Sequence, residues 1–227
     1  MSAPKKVLPE RKRYLDAYED VRKQFRNAIG GGFLAVLAIF VINYALSFFE
    51  DNFISEYVQT FEVYSAGQGV NEVLGFWGMS FTPISALNVL NPTWVDDWIV
   101  YLAPPLVAGL VIALATRSLK YCLIGSLWFV VWGMVLPLVF VFVLPLFGSI
   151  SFFEAVNPMS LNGALISVFQ DVLASNGLVV VFKEMTSSPY LGWVMAGTLE
   201  IGGIVTLFSL PFGAIFSLLK VITRGRV

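Results

Sequence analysis

From Tyr121 to Phe147 the chain runs 27 residues without one charged side chain. At about 1.5 Å of rise per residue, a helix of that length more than covers a hydrocarbon layer roughly 30 Å thick. A second apolar run, Trp98–Thr116, precedes it across the short basic link Arg117-Ser118-Leu119-Lys120. The pair reads as a membrane hairpin, Trp98–Phe147, and the rest of the chain is placed by reference to it.

Composition agrees with that reading. Hydrophobic residues make up 57% of the 227 and charged residues 13%, about half the charged share usual in soluble domains. The chain has no histidine and a single cysteine, Cys122. The commonest ligand for haem, copper, zinc and non-haem iron is therefore missing, as is the commonest general base. An internal disulfide is impossible. There is no phosphate-cradling glycine loop, nucleophile triad or metal-ligand cluster in the sequence, so no cofactor and no enzymatic activity are expected.

Charge is distributed unevenly. Of the 14 basic residues, 13 fall in the N-terminal 27 residues, the 117–120 link or the tail from Lys220, and only Lys183 lies elsewhere. By the positive-inside rule these three regions face the cytoplasm. The expected fold is all-α: a polytopic protein with four transmembrane helices, both termini cytoplasmic, and two apolar, partly helical outer segments at 50–97 and 148–189. The expected location is the cell membrane.

Residues 1–27 are read as a cytoplasmic basic amphipathic arm, and 28–227 as the transmembrane domain. In the arm, Tyr14, Leu15, Tyr18, Val21 and Phe25 recur at helical spacing, which predicts a helix lying on the membrane face against anionic lipid headgroups. The first span, Ala28–Phe49, opens with Gly30, Gly31 and Gly32, which mark a close helix contact or a hinge. It also carries Asn43, a candidate for hydrogen bonding to a neighbouring helix.

The first outer segment has seven acids and no Lys or Arg, yet holds Phe53, Tyr57, Phe61, Phe76 and Trp77. So many large apolar groups need cover, from the chain itself, the membrane or another subunit, and these five are candidate oligomer contacts. Thr82-Pro83 reads as the N-cap and first residue of a short helix. In the second outer segment, Asn157-Pro158 reads in the same way, opening a helix to about Ser175. Prolines at 104, 105 and 137 are expected to bend or unwind their spans.

The fourth span, within Tyr190–Leu219, holds Glu200, the one acid inside an apolar run, near Gly202 and Gly203. An ionised carboxylate costs roughly 2.5–3.5 kcal/mol at the centre of a bilayer, so Glu200 should face protein or water, for packing or for an ion or proton path.

Span, outer element, span, twice over, is also the layout of two-pore potassium channels. However, Val73–Gly78 lacks the threonine and the Gly-Tyr-Gly order of their filter, and the cysteines of claudin-like or connexin-like loops are missing. The residues place the chain in no family. The function expected is that of a structural or accessory subunit of a larger membrane assembly or homo-oligomer; the alternative is an ion channel or small-solute pathway. Expected partners are the lipid bilayer and other membrane subunits or copies of the chain itself, with no nucleic acid.

Overall fold

The computed structural model describes residues 10–46, 48, 77–85, 98–143, 181, 185 and 189–224. Four long helices make up most of these: α1 (Glu10–Leu46), α2 (Trp98–Thr116), α3 (Leu119–Val143) and α4 (Pro189–Arg224). No strand occurs among the described residues. Each helix holds a stretch long and apolar enough to cross a membrane: Tyr18–Leu46, Trp98–Thr116, Leu119–Val139 and Leu191–Thr223. The chain is therefore all-α and polytopic. The last stretch spans 33 residues, about 50 Å if straight, and so is longer than one perpendicular crossing needs.

Helices α1 and α4 each pack along both α2 and α3, whereas α2 and α3 touch more sparingly. The two arms of the hairpin thus sit diagonally across the bundle, with α1 and α4 filling the gaps. Gly31 lies against Ala115, Gly125 against Ile112, and Gly213 against Cys122. These contacts set residues near 31, 114, 123 and 213 at one level, and Gly133 against Thr198 marks a level further along. Successive helices therefore alternate in direction. The start of α1, the 117–118 link and the end of α4 share one end of the bundle, called here the link end; the 47–97 and 144–188 connections leave from the opposite, far end.

The bundle interior mixes large side chains, among them Ile39, Ile112 and Phe129, with small and hydroxylated residues at the helix crossings. Ala28, Ala35, Ala108, Ala113, Cys122 and Ala196 are fully buried, while Leu34, Leu37, Val41, Leu127, Leu207 and Ile215 point outward. Ser126 and Ser209 join α3 to α4 through a 3.0 Å hydroxyl pair. Thr116 donates to Ile112 O at 2.9 Å, and Thr206 to Gly202 O at 2.7 Å, so these hydroxyls are satisfied within their own helices.

One expectation needs correction. The arm is not a separate helix lying on the membrane face, because α1 continues unbroken from Glu10 through the glycines to Leu46. Of the two readings of the glycine triplet, the close helix contact is the one found. A Cβ at Gly32 would come within 2.7 Å of Gly125 O and Phe129 N, and one at Gly31 within 3.0 Å of the Ala115 Cβ. Backbone approach at these crossings offsets the loss of helix propensity, about 1 kcal/mol per glycine. Helix α2 is likewise continuous through Pro104 and Pro105, and α3 through Pro137.

Candidate functional site

Residues 77–85 enter the bundle from the far end. A helical turn at 77–80 is followed by three non-helical residues and a new turn beginning at 84. Trp77, Met79 and Phe81 are buried, and Phe81 reaches Phe129 with ring centroids 6.2 Å apart. Phe129 lies ten residues into α3, about 15 Å from its start, so the segment penetrates to about the middle of that helix.

An aromatic layer holds the entering turn. Trp77 stacks on Phe81 at 5.7 Å, and Phe40 of α1 meets both edge-on, at 4.5 and 5.9 Å. On the other side, Trp193 of α4 donates its indole N–H to Gly78 O at 3.2 Å. The Phe81 carbonyl occupies the space where a Cβ on Gly197 would stand. Only glycine lets the segment lie this close to α4.

Glu200 sits one turn beyond Gly197, and both its carboxylate oxygens are engaged. Ser85 donates its backbone N–H to Oε2 at 2.9 Å and its hydroxyl to Oε1 at 2.6 Å. The chemistry is that of an N-cap. The new turn begins at residue 84, one residue later than a Thr82 cap would start it, and Ser85 lies in its first turn, where a capping side chain can accept a backbone N–H. Here the Thr82 hydroxyl instead donates backward to Met79 O at 2.8 Å, closing the preceding turn. The vacated capping role passes to a carboxylate 115 residues away in sequence. A negative group at a helix start is favoured by the partial positive charge of its unpaired N–H groups.

Beside this clamp lies a cavity of about 40 Å³, room for a few waters. Asn43 of α1, Ser80, Thr82, Pro104 and Pro105 are among its lining residues. Asn43 and Ser80 are buried, at 5% and 4% exposure, and the Ser80 hydroxyl has no hydrogen-bond partner. Ile39, Met79, Ile84, Val100 and Ile201 also line it, so the wall is mainly apolar with a few polar groups set into it.

The residues singled out by sequence thus fall into distinct places. Glu200 and Asn43 come to the same region, joined through residues 80–85. Gly31 and Gly32 are helix contacts, and Gly202 is packed against Val130, whereas Gly30 and Gly203 face open space. Trp77 is spent inside the chain's own core. Phe53, Tyr57, Phe61 and Phe76, and the helix expected from Asn157, lie outside the described residues.

Sequence reasoning missed Ser85, Ser80 and the indole of Trp193. A signal for Ser85 was present: a Thr-Pro helix start with a free first turn is a partner waiting for a carboxylate. No group of three or more His, Cys, Asp or Glu able to hold a metal occurs among the described residues. No protein-family model, curated protein or solved structure matches the chain.

Proposed function

We propose that this protein is a non-enzymatic structural or accessory subunit of a larger membrane assembly or homo-oligomer, placed in the cell membrane with both termini and the 117–120 link on the cytoplasmic side. The observation that carries the reading is the engagement of Glu200. The one acid within the apolar spans has both oxygens committed to Ser85, so it serves to fix a re-entrant segment against α4. Orientation rests on the basic residues, which gather at the link end.

The assembly reading also draws support from the outer segments, whose large apolar side chains at 53, 57 and 61 require cover. The test is extraction of the full chain from its native membrane in a mild detergent, followed by native mass spectrometry. Expected is a defined homo-oligomer or a stoichiometric complex with unlike chains. A monodisperse monomer would overturn the proposal.

A second reading, an ion or small-solute pathway, is favoured by one observation: the cavity beside Glu200, with buried Asn43 and unpartnered Ser80 at a broken helical element. Its test is flux into liposomes by wild type and by Glu200→Gln. Flux in wild type that is lost in a fully assembled Gln variant would replace the assembly reading with this one.

A further inference from the structure

The link end carries a pocket of about 600 Å³, a volume ordinary for small-molecule sites. It opens where α1 and α4 lean on the last turn of α2 without closing on each other. Three cations from three elements line it: Lys23 of α1, Arg117 of the link and Lys220 of α4. Among the described residues, no carboxylate pairs with any of them. Between the cations the walls are apolar, from Leu114, Phe216 and Leu219.

A backbone detail sets the pocket apart from a chance gathering of surface lysines. Arg117 has φ of 49°, the one positive value among described residues other than glycine. Its N–H donates to Ala113 O at 2.8 Å, so it closes α2 in the left-handed conformation that glycine or asparagine usually takes. A long cationic residue thus stands at the pocket in a backbone state unfavourable to it.

We propose that this pocket binds the headgroup of one anionic glycerophospholipid. Its phosphate would lie among Lys23, Arg117 and Lys220, and an acyl chain would run out along Leu114, Phe216 and Leu219. The phosphate would partner three cations that have no carboxylate partner among the described residues, and charge-assisted bonds to phosphate are the strong ones available to Lys and Arg. The apolar walls select an amphiphile over a free ion, and basic pockets between spans at a membrane face suit such headgroups. The proposal rests on the four spans alone and is independent of the assembly reading.

The test uses the full chain in nanodiscs of phosphatidylcholine containing a minority of phosphatidylglycerol, with retained lipid counted by native mass spectrometry. Expected is one phosphatidylglycerol held preferentially per chain. Lys23→Gln and Lys220→Gln should each weaken retention about fivefold, and the pair about 25-fold, while helix content and thermal unfolding in pure phosphatidylcholine stay those of wild type. Arg22→Gln/Lys120→Gln, which removes two cations outside the pocket, should leave retention unchanged. Equal loss in that control would show a diffuse surface field and overturn the site. Displacement of the lipid by millimolar inorganic phosphate would show that a free anion is the ligand, and would overturn the lipid assignment.

Discussion

Replacing Glu200 with alanine removes the acceptor of two hydrogen bonds, at 2.9 and 2.6 Å. Bonds to a charged group contribute about 1.5–3 kcal/mol each when buried. Ser85 is exposed, so other groups can take over part of its demand, and side-chain hydrogen bonds measured within membranes average about 0.6 kcal/mol with a maximum near 1.7. The expected cost of Glu200→Ala is therefore about 2 kcal/mol for both bonds together. At about 2–4 °C per kcal/mol for a chain of this size, the unfolding midpoint should fall roughly 4–8 °C.

Glu200→Gln keeps an oxygen for the Ser85 amide and an NH₂ group for its hydroxyl, and loses only the charge. Charge-assisted bonds are roughly twice as strong as neutral ones, so this variant should lose about half as much. Ser85→Ala removes the hydroxyl bond and leaves the amide bond. If the two residues act as a clamp, Ser85→Ala made in the Glu200→Ala background should cost about 0.6–1.7 kcal/mol less than it does in wild type. The assay is thermal unfolding of purified protein in one detergent at one scan rate, followed by tryptophan fluorescence, to which Trp77 and Trp193 beside the clamp contribute. Single and double variants that add to within about 0.3 kcal/mol would refute the clamp, as would a Glu200→Ala midpoint equal to wild type.

The glycines give a second test. Gly30→Ala and Gly203→Ala, which meet nothing within 4 Å, should raise the midpoint through helix propensity. Gly32→Ala, whose Cβ would press on two backbone atoms of α3, should lower it by the equivalent of about 1–3 kcal/mol. Orientation is tested by single cysteines in a Cys122→Ala background: Gln68→Cys and Thr186→Cys should react with a membrane-impermeant thiol reagent on intact cells, and Lys12→Cys and Arg224→Cys only after lysis.

The spans were legible because hydropathy sums over 18 or more residues, and no single side chain can reverse the total. Glu200 was legible for the opposite reason, since one carboxylate in an apolar run is costly enough to demand an explanation. Its partner was not, because Ser85 is 115 residues distant in sequence and nothing local ties the two together. The triplet at 30–32 announced close packing, but which glycine touches a neighbour depends on the rotation of α1 about its axis, which three consecutive identical residues cannot encode. The arm was misjudged because charge tells which side of the membrane a segment prefers and says nothing of the angle at which it leaves the span. The expected start at Thr82-Pro83 falls one residue early, since the turn begins at 84, and the Thr82 hydroxyl, which had two uses, went to the turn at 77–80.

Helix α4 bears on both ends of the molecule. It runs 36 residues without a break, carrying Glu200 toward the far end and Lys220 at the link end, 20 residues or about 30 Å apart. The two charges are treated in opposite ways. Glu200 is costly to leave unpaired deep in an apolar run, and the fold brings a re-entrant segment down to meet it. Lys220 lies at the link end, where the phosphate of the lipid proposed above would answer it together with Lys23 and Arg117. On that reading a charge that the membrane cannot satisfy is answered from within the chain, and charges that it can satisfy are left for it.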